Sequence, residues 1–289
     1  MNVLVFGHTG QGARELARFA TDLTFSFNFM GRKDADLLYP HQCEEIILSK
    51  KPDAVINAAA WTSVDEAETF EKEASIINGE SPGAMAHACK KLSIPFLHIS
   101  SDYVFDGSGE TPWLPNDLVS PLSAYGRSKL LGEKLIIESG AYSMIMRTSW
   151  VFSSHGSNFV KTMLRLGKEN ENINVVSDQI GGPTSAISIA KSILVLIDRL
   201  LKGKAGGIIH FSGAPDVSWA EFAKSIMNNA DLQCQITSIK TQDHPTAAPR
   251  PLNSRMSDPE LNSHGIYRPD WVKDLKVVLN ELKEQQNGT

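Results

Sequence analysis

Short apolar runs alternate with longer segments of mixed polarity along most of the chain, which is the pattern of strands separated by helices. The apolar runs predict strands at residues 2–6, 24–30, 54–57, 94–99, 143–147, 173–176 and 207–213. The intervening segments predict helices at residues 41–50, 82–91, 125–139, 159–167, 186–201 and 218–230. Such alternation indicates an α/β fold built on a doubly wound parallel sheet.

The pattern weakens after Asp231, where the proline-rich stretch PTAAPRPLNSR follows no helical or strand period. We therefore expect two lobes. A Rossmann-type domain would span residues 1–150, with residues 173–212 returning to it. A smaller α/β lobe, loop-rich towards its end, would comprise residues 151–172 and 213–289. Within that lobe, Ser218 and Glu221 have the spacing of a capping box at the start of a helix.

Composition is that of an ordinary globular enzyme: the 289 residues are 42% hydrophobic and 21% charged. A net charge of −5 gives no reason to expect a nucleic-acid or membrane partner. The first residues, MNVLVFGHTG, lack the features of a signal peptide. Cys43, Cys89 and Cys234 are widely separated, which indicates reduced thiols rather than a metal site. We expect a cytoplasmic protein.

A glycine-rich turn, GHTGQGAREL, joins the first predicted strand to a helix beginning near Gln11. Gly7, Gly10 and Gly12 lie in this turn, and Ala13 stands where a third glycine is common. A turn of this kind lets backbone N–H groups approach a pyrophosphate at the positive end of the helix. We interpret it as a dinucleotide-binding turn, while noting that glycines also close turns for steric reasons alone.

The residues after the second predicted strand bear on which dinucleotide is bound. Folds that select NAD place an acidic residue here to accept a hydrogen bond from the ribose 2′-OH. This chain instead has Gly31, Arg32 and Lys33. A cationic strand end suits a 2′-phosphate and favours NADPH as the cofactor. Asp34 and Asp36 follow closely and keep NADH as the alternative, and a solvated charged loop is the interpretation without function.

Tyr125 and Lys129 stand four residues apart in a predicted helix, so that both side chains share one face. A tyrosine of ordinary pKa near 10 becomes a usable acid when its anion is stabilised. An ammonium group about 4 Å away would contribute about 4 kcal/mol at an effective dielectric of 20, or roughly three pKa units. We expect Tyr125 to donate a proton to a carbonyl, with Lys129 lowering its pKa and Ser101 holding the same oxygen.

These features together resemble the extended short-chain dehydrogenase/reductase family and, within it, the dTDP-4-dehydrorhamnose reductases. The segments that carry the resemblance are GHTGQGAREL, PDAVINAAAWTSVDEAE, SSDYVFDG, SPLSAYGRSKLLGE, RTSWVF, NFVKTMLRL, DQIGGPT and RPLNSR. The resemblance implies reduction of the 4-keto group of dTDP-4-dehydro-β-L-rhamnose by NAD(P)H to dTDP-L-rhamnose. A dTDP-sugar would then be the substrate, bound by the smaller lobe.

The resemblance also assigns residues. It implies Tyr125 as the proton donor, Lys129 as its activator and Ser101 as a second contact to the carbonyl. The implied cofactor contacts are Gly10, Gln11 and Gly12 at the diphosphate, Asp36 and Leu37 beside the adenine, and Ala58, Ala59 and Ala60 at a strand end. The implied substrate contacts are Ser101, Asp102 and Trp150. Arg250 and Arg255 are further candidates, because arginine binds diphosphate oxygens bidentately.

Some members of the family that the chain resembles bind Mg²⁺ between subunits through glutamates, one of them at the position of Glu15. The second carboxylate would follow GGPTSA, where this chain has Ile187. A single carboxylate makes a poor Mg²⁺ site. We therefore predict no metal and place Glu15 on the surface of its helix. We also expect His98 to be a hydrogen-bonded core residue, and Trp113 and Trp219 to serve in packing.

Two other functions stay open. One alternative keeps the fold and changes the sugar, giving a reductase or epimerase of another nucleotide-linked keto sugar. The other is a non-catalytic regulatory subunit, such as the β subunit of methionine adenosyltransferase, which resembles the same reductase group. The presence of Ser101, Tyr125 and Lys129 together favours an enzyme, since a binding protein has no chemical need for all three. Assembly into a homodimer is left open.

Overall fold

The computed structural model describes residues 1–20 and 25–287. The strands are β1 (Asn2–Phe6), β2 (Ser26–Met30), β3 (Ala54–Asn57), β4 (Phe96–Ser101), β5 (Ser143–Thr148), β6 (Val151–Phe152), β7 (Asn172–Val176), β8 (Ile180–Gly181), β9 (Thr184–Ser185), β10 (Gly207–His210), β11 (Val217–Ser218), β12 (Gln235–Ile239) and β13 (Asn253–Ser254). The helices are α1 (Gln11–Phe19), α2 (Pro40–Lys50), α3 (Val64–Ala67), α4 (Glu71–Ser75), α5 (Ser81–Leu92), α6 (Ala124–Glu138), α7 (Phe159–Glu169), α8 (Ala186–Leu201), α9 (Trp219–Asn229) and α10 (Trp271–Asn287).

Six strands of the described residues form one parallel sheet in the order β2-β1-β3-β4-β5-β10. The chain reverses its direction of travel across the sheet between β1 and β3, and a doubly wound sheet opens its ligand crevice at such a point. The predicted α/β fold with a Rossmann-type sheet is confirmed. The predicted second strand is observed from Ser26, and its first residue, Thr24, lies outside the described residues.

Helices cover both faces of this sheet. On one face α1 and α8 bury Leu16, Ile189 and Ile193 against the strands. On the other face α2 and α5 contribute Ile47 and Met85 to a second cluster. Each fully buried side chain of this size contributes about 1.5–3 kcal/mol to the stability of the fold. The two apolar layers therefore stabilise the sheet from both faces. Within residues 1–20 and 25–287, no helix is long and apolar enough to cross a membrane.

The remaining strands form small sheets beside the central one. Strands β11, β8 and β13 make one sheet, β12 pairs with β7, and β6 pairs with β9. Helices α7, α9 and α10 bury Phe222 and Trp271 around them. The predicted capping box is confirmed, since Ser218 and Glu221 bond each other's backbone at the start of α9. Within residues 173–212, β10 pairs with β5 of the central sheet and α8 packs on that sheet, whereas Asn172–Val176 pairs with Gln235–Ile239.

The smaller lobe was expected to be loop-rich towards its end, and this expectation is wrong for the last part of the chain. Helix α10 spans 17 residues there. Its buried side chains recur at helical spacing and include Trp271, Leu275, Val278 and Leu282. The proline-rich stretch, residues 245–255, ends well before this helix begins, so its lack of period does not extend to residues 271–287.

Glu15 is buried, not on the helix surface as predicted: its exposed fraction is 0%. Arg18 lies 3.5 Å from one carboxylate oxygen of Glu15 and 2.5 Å from a carboxylate oxygen of Glu281. The His155 Nε2 atom lies 3.4 Å from the other Glu15 oxygen. Burial raises the pKa of Glu15. The groups that cover Glu15 lie on α10 and in the loop after β6. The sequence of α1 alone therefore could not indicate that Glu15 is buried.

Helix α6 crosses a π-helical turn, Ile76–Glu80, at very short range. A Cβ atom at Gly132 would overlap the carbonyl oxygen of Asn78. We expect Gly132→Ala to lower the free energy of unfolding by about 2–4 kcal/mol, because backbone on both sides would have to move. Urea denaturation followed by circular dichroism measures the change.

Gly167→Ala is the matched control for that substitution. Gly167 is also a helical glycine, but a Cβ atom there meets only mobile side-chain atoms of Met227 and Leu232. We expect its free energy of unfolding to change by less than about 1 kcal/mol, because flexible side chains can yield and alanine favours the helix. Equal losses in the two variants would contradict the close approach at Gly132.

Candidate active site

A cavity of about 880 Å³ opens at the carboxyl ends of β1, β3, β4 and β5. The predicted cofactor contacts that line it are Gly7, Gly10, Gln11, Gly12, Arg32, Asp36, Leu37, Ala58, Ala59 and Ala60. The predicted catalytic and substrate residues that line it are Ser101, Asp102, Tyr125, Lys129 and Trp150. Side chains from distant parts of the chain therefore share one wall.

The glycine turn lies directly against the end of β3. Gly7 has a φ of +119°, and a Cβ atom there would lie 3.1 Å from the Ala58 carbonyl group. At Gly10 and Gly12, a Cβ atom would meet no heavy atom of the described residues within 4 Å. Gly10 is also the residue that precedes α1. The positive end of α1 thus faces the cavity with its backbone exposed, which suits an anionic group.

Gln11 ties this turn to the loop that follows β6. Its side-chain oxygen accepts hydrogen bonds from the Ser153 hydroxyl (3.0 Å) and the Asn158 amide (2.8 Å). Asn158 caps α7 by accepting a hydrogen bond from the Lys161 backbone N–H. The Gln11 side-chain oxygen is therefore already hydrogen-bonded within the protein. The backbone N–H of Gln11 is the group that could bind a ligand at the start of α1.

The end of β2 carries the charges predicted to select the cofactor. Asp34 accepts a hydrogen bond from the Gly31 backbone N–H at 2.9 Å, and Asp36 accepts one from Leu38 at 3.0 Å. Arg32 is exposed and lies on the cavity wall beside Asp36. Both carboxylates are engaged by the local turn, whereas Arg32 can extend towards a bound phosphate.

Ser101, Asp102 and Tyr125 meet where β4 ends. The Ser101 hydroxyl donates to an Asp102 carboxylate oxygen (2.9 Å) and accepts from the Tyr103 backbone N–H (3.2 Å). The ring of Tyr125 packs edge-on against the ring of Tyr103, with centroids 5.4 Å apart. Burial raises the pKa of Asp102 to about 6, against hydrogen bonds from Ser254 and Ser101 that lower it.

The predicted direction of the Tyr125 pKa is wrong for this structure. Burial raises the pKa of the Tyr125 phenol, with a hydrogen bond to Ser101 acting in the opposite direction. The Lys129 Nζ atom donates a hydrogen bond to the Ile99 carbonyl at 2.6 Å. Burial also lowers the pKa of Lys129 to about 8. Desolvation therefore outweighs the attraction between the two groups that their spacing suggested.

Lys129 and its neighbours form a buried polar chain beneath the cavity. The Lys129 Nζ atom lies 3.3 Å from His98 Nε2, and His98 Nδ1 lies 3.1 Å from the Asn57 side-chain amide. The prediction that His98 is a hydrogen-bonded core residue is confirmed. Its contact with Lys129 could not be read from the sequence, because it depends on how α6 lies across β4.

A second buried group holds α6 against the sheet. Arg147 on β5 makes two hydrogen bonds to Glu133 on α6, at 2.9 Å and 2.6 Å. The Ser100 hydroxyl donates to the same carboxylate at 2.5 Å. Arg147 also donates to the Pro115 carbonyl and to His210 Nε2. Because burial and the Arg147 charge lower the pKa of His210 to about 3, this imidazole stays neutral.

Two indole rings form the far wall of the cavity. Trp150 and Trp219 stack with ring centroids 3.7 Å apart and planes 12° apart. Trp150 has a φ of +49°, which is rare for a side chain of this size. Trp219 does pack, as predicted, but it also lines the cavity. Trp113 packs as predicted, stacked on Phe105 at 4.7 Å, and its indole N–H donates to the Asn253 carbonyl at 3.0 Å.

Arg250 and Arg255 are absent from the wall formed by the described residues. Arg250 pairs with Asp65 at 2.6 Å and donates to the Tyr103 hydroxyl at 3.4 Å. Arg255 donates to the Asn253 side chain at 3.0 Å. The role of both arginines in substrate binding stays a prediction. Through Tyr103, Arg250 nevertheless lies one contact away from Tyr125.

Several residues that line the cavity were missed from the sequence. Thr148 ends β5 and Ser149 follows it, while Asn158 and Trp219 lie at the starts of helices. The Thr148 hydroxyl is buried without a hydrogen-bond partner among the described residues. Polar residues at the carboxyl ends of parallel strands meet at one edge of the sheet, where ligands bind. The position of Thr148 and Ser149 at the end of a predicted strand could therefore have indicated that they line the cavity. Within the same residues, no group of three or more His, Cys, Asp or Glu side chains is arranged to hold a metal ion.

Comparison with known proteins gives a consistent set of relatives. The family described as the RmlD substrate binding domain matches residues 1–284. The dTDP-4-dehydrorhamnose reductase of Burkholderia thailandensis is 39% identical over 299 residues, covering 99% of this chain and 100% of that protein. A crystal structure of a dTDP-4-dehydrorhamnose reductase from Clostridium acetobutylicum has a TM-score of 0.93 and 32% identity, covering 98% of this chain and 100% of that one. The Bacillus anthracis reductase, solved in complex with NADP, has a TM-score of 0.90 and 32% identity over 97% of this chain and 99% of that one.

Loss of the buried ion pair should destabilise the protein strongly. We expect Arg147→Leu to lower the free energy of unfolding by about 3–5 kcal/mol, because Glu133 would be left charged and unpaired in the interior. Arg127→Leu is the control, since Arg127 pairs with Glu71 at the surface, where such a pair contributes about 0–1 kcal/mol. Denaturant titrations of the two variants should differ accordingly, and similar midpoints would contradict this assignment.

Proposed function

This chain belongs to the dTDP-4-dehydrorhamnose reductase family, whose members are oxidoreductases, and we propose that it reduces the 4-keto group of dTDP-4-dehydro-L-rhamnose to yield dTDP-L-rhamnose. The observation that carries the proposal is the shared cavity wall: the glycine turn after β1, the Ser101–Tyr125–Lys129 group and the Trp150 ring all face one space. A hydride donor and a sugar nucleotide could therefore meet there.

The residues present fit NADPH as the hydride donor. The backbone at Gly10–Gly12 would hold the diphosphate at the positive end of α1. Arg32 would bind the 2′-phosphate, Asp36 and Leu37 would lie beside the adenine, and Ala58–Ala60 leave room for a flat ring at the end of β3. NADPH, when bound, supplies the hydride. The similar Bacillus anthracis reductase was solved with NADP, which supports the same choice here.

Tyr125 would supply the proton to the substrate oxygen. The raised pKa keeps its phenol protonated at neutral pH, so the acid form is the resting form. The Ser101 hydroxyl donates a hydrogen bond to Asp102, so its oxygen is free to accept the hydrogen bond from the Tyr125 phenol. Lys129 has a pKa of about 8 and is mostly charged at pH 7. Its ammonium group would therefore stabilise the tyrosinate that forms when Tyr125 donates its proton.

The substrate would lie between the two lobes. We keep the division into residues 1–150 with 173–212, and 151–172 with 213–289, as a proposal, modified by the pairing of β7 with β12. Asp102 and the Trp150 ring would contact the sugar nucleotide. Arg250 and Arg255 are proposed for its diphosphate, and Arg250 would have to leave Asp65 to reach it.

An assay with purified protein tests this function. The protein is mixed with NADPH and a series of dTDP-4-keto-6-deoxyhexoses that differ in ring configuration, and NADPH absorbance is followed. We expect consumption with the L-rhamno ketone and formation of dTDP-L-rhamnose. If the protein prefers a ketone of another ring configuration, that ketone is the substrate and the assignment to dTDP-4-dehydro-L-rhamnose is wrong. No consumption with any ketone would refute the reductase and favour a regulatory subunit.

Tyr125→Phe should remove most of the activity while leaving cofactor binding intact. The phenylalanine ring keeps the packing against Tyr103 but cannot donate a proton, so kcat should fall by about 10²–10⁴-fold. NADPH affinity, measured by fluorescence titration, should stay near that of the unmodified protein. Tyr142→Phe removes a hydroxyl far from the cavity, where it bonds backbone carbonyl groups, and should leave kcat unchanged. An undiminished rate in Tyr125→Phe would make the proton-donor assignment wrong.

Arg32→Ala should weaken NADPH more than NADH. A charge-assisted hydrogen bond to the 2′-phosphate contributes about 1.5–3 kcal/mol, so we expect a loss of roughly ten- to a hundredfold for NADPH alone. Titrations of both cofactors measure it, with Lys33→Ala as the neighbouring control. Equal losses for NADPH and NADH would overturn the role of Arg32.

A further inference from the structure

Asn57 and His98 form a buried pair that points at Lys129. They are partners in register on the neighbouring parallel strands β3 and β4. The exposed fractions of Asn57, His98 and Lys129 are 1%, 0% and 2%. Their side chains form one chain of contacts, from the Asn57 amide through both imidazole nitrogens to the Lys129 Nζ atom.

The orientation of the Asn57 amide follows from its other contact. The Asn57 side-chain oxygen accepts a hydrogen bond from the Ala59 backbone N–H at 3.1 Å. Its NH₂ group therefore faces His98 Nδ1 and donates to it. Turning the amide over would place two donors together at Ala59 and leave a buried N–H without an acceptor, which is costly.

This orientation fixes where the proton of His98 lies. Because Nδ1 accepts from Asn57, a neutral imidazole carries its proton on Nε2. Burial and the Lys129 charge keep His98 neutral by lowering its pKa. The Nε2–H group then faces the Lys129 nitrogen at 3.3 Å. An ammonium group has no lone pair to accept it, whereas an uncharged amine does and can still donate to the Ile99 carbonyl.

We propose that His98 is a positioning residue for the reaction: held by Asn57 as its Nε2–H form, it orients Lys129 and favours the uncharged amine over the ammonium. The proposal rests on the proposed function, in which the charged form of Lys129 assists Tyr125. The pair would thus set the upper pH limit of activity. Reduction slows as pH rises through the pKa of Lys129, because the uncharged amine no longer stabilises the Tyr125 anion.

The surroundings of Lys129 agree with this assignment. Burial lowers the pKa of Lys129 to about 8, while the charge of Glu133, one turn along α6, acts to raise it. The Glu133 carboxylate is engaged by Arg147 of β5 and by Ser100 of β4. Two further titratable groups line the same cavity: Tyr125, whose phenol burial keeps protonated, and Asp102, whose pKa burial raises to about 6.

Nitrogen NMR of the unmodified protein tests the proposal without reference to activity. In ¹⁵N-histidine-labelled protein, His98 should show a protonated Nε2 and an unprotonated Nδ1. His210 is an internal control of opposite form, because its Nδ1 faces the carbonyl oxygens of Trp113 and Ser257 while its Nε2 accepts from Arg147. A proton on Nδ1 of His98, or on both nitrogens, would overturn the proposal even if reductase activity is established.

Two variants test the consequence for Lys129. In Asn57→Asp, one oxygen can still accept from Ala59 and the other accepts from His98 Nδ1, so Nε2 becomes an acceptor for the ammonium. In His98→Gln, the amide oxygen can take the Nε2 position without adding charge. In both, the Lys129 titration observed by ¹³C NMR, and the falling limb of the kcat profile, should move upward, by roughly one to two pH units for Asn57→Asp.

Asn174→Asp makes the same change of charge at an exposed position of β7 and serves as the control. It should leave both the Lys129 titration and the pH profile unchanged. Unshifted titrations in Asn57→Asp and His98→Gln would contradict the proposal. If the Lys129 titration shifts but no ketone is reduced, the role of His98 stands and the proposed function fails. The tautomer measurement decides even when a variant does not fold.

Discussion

The buried ion pair between Glu133 and Arg147 fixes the helix on which the candidate chemistry depends. Helix α6 carries Tyr125 and Lys129 on one face, and Glu133 anchors the next turn to β5, with Ser100 of β4 completing the carboxylate. Removing two charges from water is costly and is recovered only with good geometry and further hydrogen bonds. The bidentate hydrogen bonds between Arg147 and Glu133, together with the one from Ser100, provide that geometry. It also sets the angle at which α6 crosses the sheet, and hence the distance from Lys129 to β4.

The cavity itself follows from the order of the strands. Because β1 and β3 are neighbours whose connections leave in opposite directions, a crevice opens at the carboxyl end of the sheet, beside the glycine turn and Ala58. The close approach at Gly7 brings the start of α1 to one side of this crevice, and the end of β4 brings Ser101 to the other. Trp150 and Trp219 then form the far wall of the cavity. Backbone topology thus places the start of α1 and Tyr125 on the lining of one cavity.

Much of this arrangement could be predicted from the sequence, and the failures at the candidate site and at Glu15 share one cause. Local patterns gave the bounds of α8 and of β3, the capping box at Ser218, and the residues of the glycine turn. They misplaced Glu15 because its cover comes from His155 and Glu281, far along the chain. They misjudged the pKa of Tyr125 because helical spacing reports which side chains share a face but not how deeply that face is buried. The contact between His98 and Lys129 is likewise tertiary.

The position of β10 has a consequence for how the protein is made. Strand β5 ends at Thr148, but its neighbour β10 begins only at Gly207. A nascent chain emerges at about 5–20 residues per second, so β5 waits roughly three to twelve seconds on the ribosome with an unpaired edge. Such an edge is a template for pairing with other chains. Translation speed over residues 149–206 should therefore influence how much chain reaches the native state, and chaperones that shield strand edges would matter most during that interval.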